Sequence, residues 1–358
     1  MSTHPATSTS PASPQEPAQT PQPEKTPWSK ALLIGLAATA VVTLALLAFS
    51  WPSYTATPKN LPVSVVASES AYTAMTQTLA QQDSPFDLSR AESREEATRK
   101  IEQRESYGAF ILPSAPGEQM EVLTSPAANN SIATMLGTAG TTMHKQQVAA
   151  ALESGQAADP QASAALTQQA LKGPTITPVS PLSEDDPQGS GLAVAAFPLI
   201  LGGIIGGVLI SLTVRGAAQR FTAILAYSTI AASALLFVLH TWFGFLPTAS
   251  LPLWGALALG LGATASLVTG LHSLLGTPGI GLGAIITVFI ANPISGATLP
   301  LEFLPWHFEA LGRVFVPGAT QELLRNLSYF PEASNTQPWL VLSAWAVFGL
   351  LCLAAKRR

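Results

Sequence analysis

A chain of 358 residues with a mean hydropathy of +0.33 and only 11% charged side chains has too little charge to cover a water-soluble surface of its size, since soluble domains carry about 25%. Its net charge of −4 is unevenly spread: residues 52–190 hold 8 of the 17 Lys and Arg and 15 of the 21 Asp and Glu, while Arg215 and Arg220 are the only charges from 191 to 301. This distribution excludes a nucleic-acid partner, which needs a clustered basic face, and a single cysteine, Cys352, excludes a disulfide framework or a Cys-rich metal site.

Residues 1–29 begin with a Pro-, Thr-, Ser- and Gln-rich run that cannot bury enough surface to offset its ordering entropy. They are expected to be a disordered cytoplasmic tail. Lys25 and Lys30 then precede an uncharged run, Ala31 to Phe49, bracketed by Trp28 and Trp51. At ~1.5 Å per helical residue the run spans a hydrocarbon core of about 30 Å, and the tryptophans suit the aromatic belts. Residues 30–51 are therefore expected to form an uncleaved first transmembrane helix; a cleaved signal peptide would have an apolar region of only about 7–15 residues.

The polar segment 52–190 reads as an extracytoplasmic α/β domain inserted between the first two spans. Leu61–Ala67 is short, β-branched and alternating, as in a strand. Glu69 to Gln82 reads as a helix. Ser89 followed by Glu92 has the spacing of a capping box, opening a charged helix to about Arg104 supported by Glu95–Arg99 and Glu96–Lys100 pairs. Tyr107 to Leu112 and Gln119 to Thr124 read as further strands, followed by a helix from about Ala127 to Glu153 and an extended Thr175–Val179. An acidic linker, Ser183 to Gly189, closes the segment. Strands alternating with helices indicate a small α/β unit.

From Gly191 apolar runs repeat at about 191–212, 219–242, 253–275, 279–297 and 339–355, making five more spans and six in all. With the N-terminus inside, Lys25 and Lys30, Arg215 and Arg220, and Lys356–Arg358 all fall on the cytoplasmic side, as the positive-inside rule requires. The expected protein is thus an α-helical polytopic plasma-membrane protein with both termini cytoplasmic, in contact with membrane lipids.

Gly202, Gly203, Gly206 and Gly207 give two overlapping GxxxG spacings in one span. Small residues four apart admit a close helix neighbour, either within the chain or across a homodimer seam. Arg215 and Arg220 flank a very short cytoplasmic loop and read either as a contact for a cytoplasmic partner or as headgroup anchors. Asn292-Pro293 should bend or end the fifth span, because proline removes a backbone donor and bars the αR region for the residue before it. Asn292, Pro293 and Gly296 therefore mark a broken helix. Beyond it, residues 298–337 suggest an outer hairpin of two short amphipathic helices, Trp306 to Val316 and Gly318 to Phe330, separated at Pro317-Gly318 and either interfacial or re-entrant.

Gly276, Gly279, Gly281 and Gly283 resemble a phosphate loop only superficially, because they lack the preceding strand and βαβ unit. There is no G-x-x-x-x-G-K-[ST] motif. Ser295 with His240 or His272 is a weak hydrolase pattern, with Pro293 where a nucleophile elbow needs Gly. Neither an enzyme nor a cofactor is expected.

Three stretches carry a family resemblance: Tyr107-Gly-Ala-Phe-Ile-Leu-Pro113 after a charged helix, Asn292-Pro-Ile-Ser-Gly-Ala-Thr-Leu-Pro300, and Pro317 to Phe330. With six spans, a large domain between the first two and a helical hairpin between the last two, the chain resembles type-2 ABC exporter permeases, nearest the YhgE/phage-infection-protein group, over roughly residues 30–356. The resemblance implies a permease-like subunit, dimeric in its exporting relatives, that moves amphiphilic or large substrates with a separate cytoplasmic ATPase. The chain departs from the pattern at Thr213–Arg220, which is short for an ATPase docking element. The alternative is a non-transporting envelope protein whose outer domain binds a surface ligand or partner.

Overall fold

The computed structural model describes residues 26–113, 118–153, 172–297, 299–305 and 307–355. The expected N-terminal tail up to residue 25, the basic end 356–358, Thr298 and Trp306 lie outside the described residues. The chain divides at Leu46/Leu47. Up to Leu46 the described part is the bulk of one helix, α1 (Trp28–Thr55), whose leucines and valines are exposed, with Leu32 and Leu36 each 72% accessible. Such a surface is stable only under lipid.

From Leu47 onward, a five-stranded mixed sheet comes first. It comprises β1 (Leu61–Val66), β2 (Phe86–Arg90), β3 (Gly108–Ile111), β4 (Glu121–Thr124) and β5 (Thr175–Pro178), in the order β2-β1-β3-β4-β5. β1 runs parallel to β2 and β3, β3 antiparallel to β4 with Phe110 opposite Val122, and β4 parallel to β5. Alternation sorts the side chains by face. Leu61, Val63, Val65, Phe110 and Val122 pack against Met75 of α2 (Glu69–Gln81) and against Ile132 and Leu136 of α4 (Asn130–Glu153). Ala109 and Leu123 meet Ala97 and Ile101 of α3 (Arg94–Glu102) on the other face. The sheet and its helices therefore form a three-layer α/β unit.

Two local expectations change. Phe86–Arg90, including Ser89, is an edge strand, not the start of a helix. The cap of α3 lies four residues later, where Ser93 Oγ accepts from the Glu96 amide at 3.2 Å and a Glu96 carboxylate oxygen accepts from the Glu92 amide at 2.7 Å. Ser89/Glu92 and Ser93/Glu96 share one spacing, and pairing with Leu61–Val65 draws the first into the sheet. Of the helical pairs, Glu96–Lys100 forms at 3.2 Å.

The second half is a helical bundle: α5 (Gly191–Thr213), α6 (Ala217–Leu236, continuing as a π-helix to Trp242), α7 (Leu251–Leu275), α8 (Thr277–Ala284, continuing as a π-helix to Ala291), α9 (Phe308–Val314), α10 (Val316–Tyr329) and α11 (Thr336–Ala354). Asp186 of the acidic linker is buried and starts α5, accepting from the Ser190 and Gly191 amides at 3.0 and 2.8 Å. A carboxylate there satisfies orphan amides and the helix dipole. α7 is the central helix: Leu253, Ala256 and Leu257 share a core with Leu192, Leu199, Ala232 and Leu342. Gly270 and Gly349 let α7 and α11 cross backbone to backbone.

Among the described residues five helices, α1, α5, α6 with its π extension, α7 and α11, are long and apolar enough to cross a membrane, and the protein is a helical, membrane-embedded one. The 15 residues of Thr277–Ala291 form a shorter apolar helix. The helix ends at Ala291, next to the Asn292-Pro293 pair at which the run 279–297 was expected to bend or end, and Asn292–Ala297 form turns and bends.

Candidate functional site

The break after Ala291 opens onto a cavity. The Asn292 amide donates to Thr287 O at 3.1 Å, and both the Ser295 amide and its Oγ return to Asn292 O, at 3.1 and 2.8 Å. Pro293 has no amide to continue the helix. Gly296 turns the chain at φ +73°, where a side chain would also strike Leu301. A short 3₁₀ turn, Leu301–Phe303, follows, then α9 and α10.

The hairpin packs into the helical bundle. Val316, Ala319, Leu323 and Leu324 of α10 are buried in the same core as Leu253 and Leu257 of α7. Its two helices part at Phe315 (φ −98°, ψ 153°), and Pro317 sits in the first turn of α10, where a missing amide costs nothing. The expected break at Pro317-Gly318 is thus displaced two residues upstream. Gly318 is where α10 crosses the backbone of Gly312.

Opposite the apolar face, α10 presents Gly318, Gln321, Glu322, Arg325 and Asn326 to a cavity of about 600 Å³. Its other walls are the α1–β1 link (Lys59, Asn60), Pro62 of β1, the end of α3 (Gln103, Arg104), Tyr107, Ala128-Asn129, the turn after the broken helix (Ser295, Gly296) and Glu302, Glu309 and Arg313. The α/β unit and the hairpin therefore build it together, joined by an apolar seam of Ala127, Ala128, Phe330 and Ala333.

Arg104 follows the C-cap of α3 with φ +60°, a left-handed position where glycine is usual. Its Nη1 donates to Asn326 Oδ1 at 2.6 Å, and its guanidinium lies 5.6 Å from the Phe330 ring centre. Tyr107 Oη donates to Glu302 at 2.7 Å, and burial first, then the Glu302 charge, pushes its phenol above the usual range. Arg313 pairs with Glu302 at 3.6 Å and Glu309 at 3.1 Å. Gln321 Oε1 and Arg313 Nε are buried without a hydrogen-bond partner among the described residues.

The structure places the other expected site residues elsewhere. Gly203 and Gly207 face Thr264 and Val268 of α7, and Gly206 faces the Tyr227 ring of α6. Tyr227 Oη also donates to Gly202 O. These glycines thus serve packing inside the chain. Arg215 is exposed, whereas Arg220 turns inward, its Nε, Nη1 and Nη2 donating to Val214 O, Ser273 Oγ and Ser211 O at 2.8, 2.8 and 2.9 Å. It caps the end of α5 and offers little to a partner. Ser295 and His240 do not pair: the first donates to Asn292 O, and His240 Nδ1 meets Leu246 O at 2.7 Å. Sequence reasoning missed Arg104, Tyr107 and Arg325 as cavity residues, though the polar spacing of Gln321, Glu322, Arg325 and Asn326 on one helical face was visible.

No protein-family model matches the chain, and neither a curated protein nor a solved structure matches it.

Proposed function

We propose that the protein is a six-span, permease-like subunit of the plasma membrane, with both termini cytoplasmic and the α/β domain outside, exporting amphiphilic or large substrates with a separate ATPase. The observation that carries this reading is the broken α8, whose end (Ser295, Gly296) lines a polar cavity together with the re-entrant α10. Non-helical backbone at membrane depth is tolerated where it is buried in protein or lines a cavity, and discontinuous helices mark substrate sites in transporters. The 15 residues of Thr277–Ala291 cover roughly 22 Å, and the turn and hairpin make up the rest of the fifth crossing.

A second reading, a non-transporting envelope protein that binds its ligand in the same cavity, is favoured by the inward turn of Arg220, which leaves the α5–α6 link with Arg215 as its exposed cation. Affinity purification from native membranes in mild detergent separates the two. The permease reading predicts a co-purifying Walker-motif ATPase that is lost on Arg215→Glu. A folded protein that brings down none supports the binding reading.

A further inference from the structure

The cavity holds more positive charge than its internal pairings use. Arg313 occupies Glu302 and Glu309, and Tyr107 donates to Glu302 as well. Arg104 and Arg325 remain, and among the described residues neither forms an ion pair; Arg104 meets the neutral amide of Asn326. Glu322, one turn before Arg325, lines the same cavity without forming an ion pair among the described residues. Asp87 and Lys59 are exposed at the rim. Two part-buried guanidiniums on one cavity wall, neither of them in an ion pair, leave N–H donors for a further anion. The planar fork of arginine suits the paired oxygens of a carboxylate or phosphate.

We infer that this cavity binds an anionic phosphate or carboxylate group through Arg104 and Arg325. The volume of about 600 Å³ exceeds a bare oxyanion and suits the headgroup of an anionic amphiphile. Only that choice of bearer rests on the permease-like reading; the anion site stands on the cavity alone.

The test uses the full-length protein in a neutral detergent. Equilibrium dialysis with radiolabelled inorganic phosphate reads the free anion, and native mass spectrometry after adding phosphatidylglycerol or phosphatidylcholine reads the lipid. Phosphate uptake, or retention of phosphatidylglycerol over phosphatidylcholine, upholds the site and tells the two sources apart. Arg325→Gln and Arg104→Asn each weaken binding by about tenfold or more, Arg325→Lys by less, and Glu322→Gln strengthens it. Because asparagine tolerates the left-handed region, Arg104→Asn keeps the turn, and with Glu322→Gln it decides the question should Arg325→Gln fail to fold. A wild-type protein that binds neither probe, or a folded Arg104→Asn/Arg325→Gln double variant that binds as well as wild type, overturns the site. Anion binding without any ATPase partner leaves the site standing and removes only the transport reading.

Discussion

Arg104 and Asn326 stand 222 positions apart in the chain, yet the guanidinium of one donates to the amide oxygen of the other at 2.6 Å. This hydrogen bond ties the end of α3 to α10 across the cavity. Arg104 holds it from a left-handed backbone that costs a non-glycine residue about 1 kcal/mol. Arg104→Ala loses the contact and keeps the strain, whereas Arg104→Gly loses the contact and relieves it. Denaturant unfolding in detergent should find Arg104→Gly more stable than Arg104→Ala by about 1 kcal/mol. Equal stabilities would mean the backbone there is not strained.

The glycines of α5 make a sharper ranking. A Cβ on Gly202 would lie 3.5 Å from Leu261 Cδ2 and 3.6 Å from Tyr227 Oη, ordinary contact distances. One on Gly203 would lie 2.6 Å from Thr264 Cβ. Gly202→Ala should therefore be near neutral, and Gly203→Ala should cost about 1–3 kcal/mol by overpacking, read as residual folded protein after heating. Oligomeric state should follow neither substitution. Loss of a dimer in Gly202→Ala without loss of fold would restore the seam reading.

Arg220 and Arg215, five positions apart, should behave in opposite ways. Removing the buried Arg220 guanidinium strands the Val214 and Ser211 carbonyls at the end of α5, at about 1–3 kcal/mol. Arg220→Gln should lower thermal stability, and Arg215→Gln should leave it within about 0.5 kcal/mol of wild type. Matching losses would show that Arg215 is also structural.

Acid should loosen the α/β unit through Glu121. Arg94 grips this carboxylate with two hydrogen bonds of 2.9 Å and Thr177 donates at 2.7 Å. Chiefly because of Arg94, its pKa lies below the ordinary carboxylate value. A folded-state pKa depressed in this way gives stability that is present above the unfolded-state pKa and lost as pH falls through the folded one. For a half-exposed pair the contribution is about 1 kcal/mol or less. Glu121→Gln should flatten the fall in stability below about pH 5; an unchanged acid slope would assign it to other groups.

The membrane helices were legible because lipid allows no substitute for a long uncharged run, and α5, α7 and α11 lie within a few residues of the expected bounds. β2 was not: Phe86-Asp-Leu-Ser-Arg90 is an edge strand, half exposed, with no buried stripe to declare it. The burial of α10 was also hidden, since an amphipathic helix reads alike whether its apolar face meets lipid or the bundle. The cavity escaped for a different reason. Arg104 and Arg325 come from opposite ends of the chain, and only tertiary packing brings their charges together.

Under the proposed function, the cavity closed by the α/β unit and the hairpin lies on the outer side of the membrane. Single cysteines in a Cys352→Ala background test it most directly, on intact cells with an impermeant thiol reagent. Ser68 and Ser334 are exposed and fall outside under this account, and Gln219 is exposed and falls inside. Labelling of Ser68→Cys and Ser334→Cys, with Gln219→Cys labelled only after the cells are broken, is the predicted result. Labelling of Gln219→Cys on intact cells, or of Ser68→Cys and Ser334→Cys from opposite sides, would contradict it.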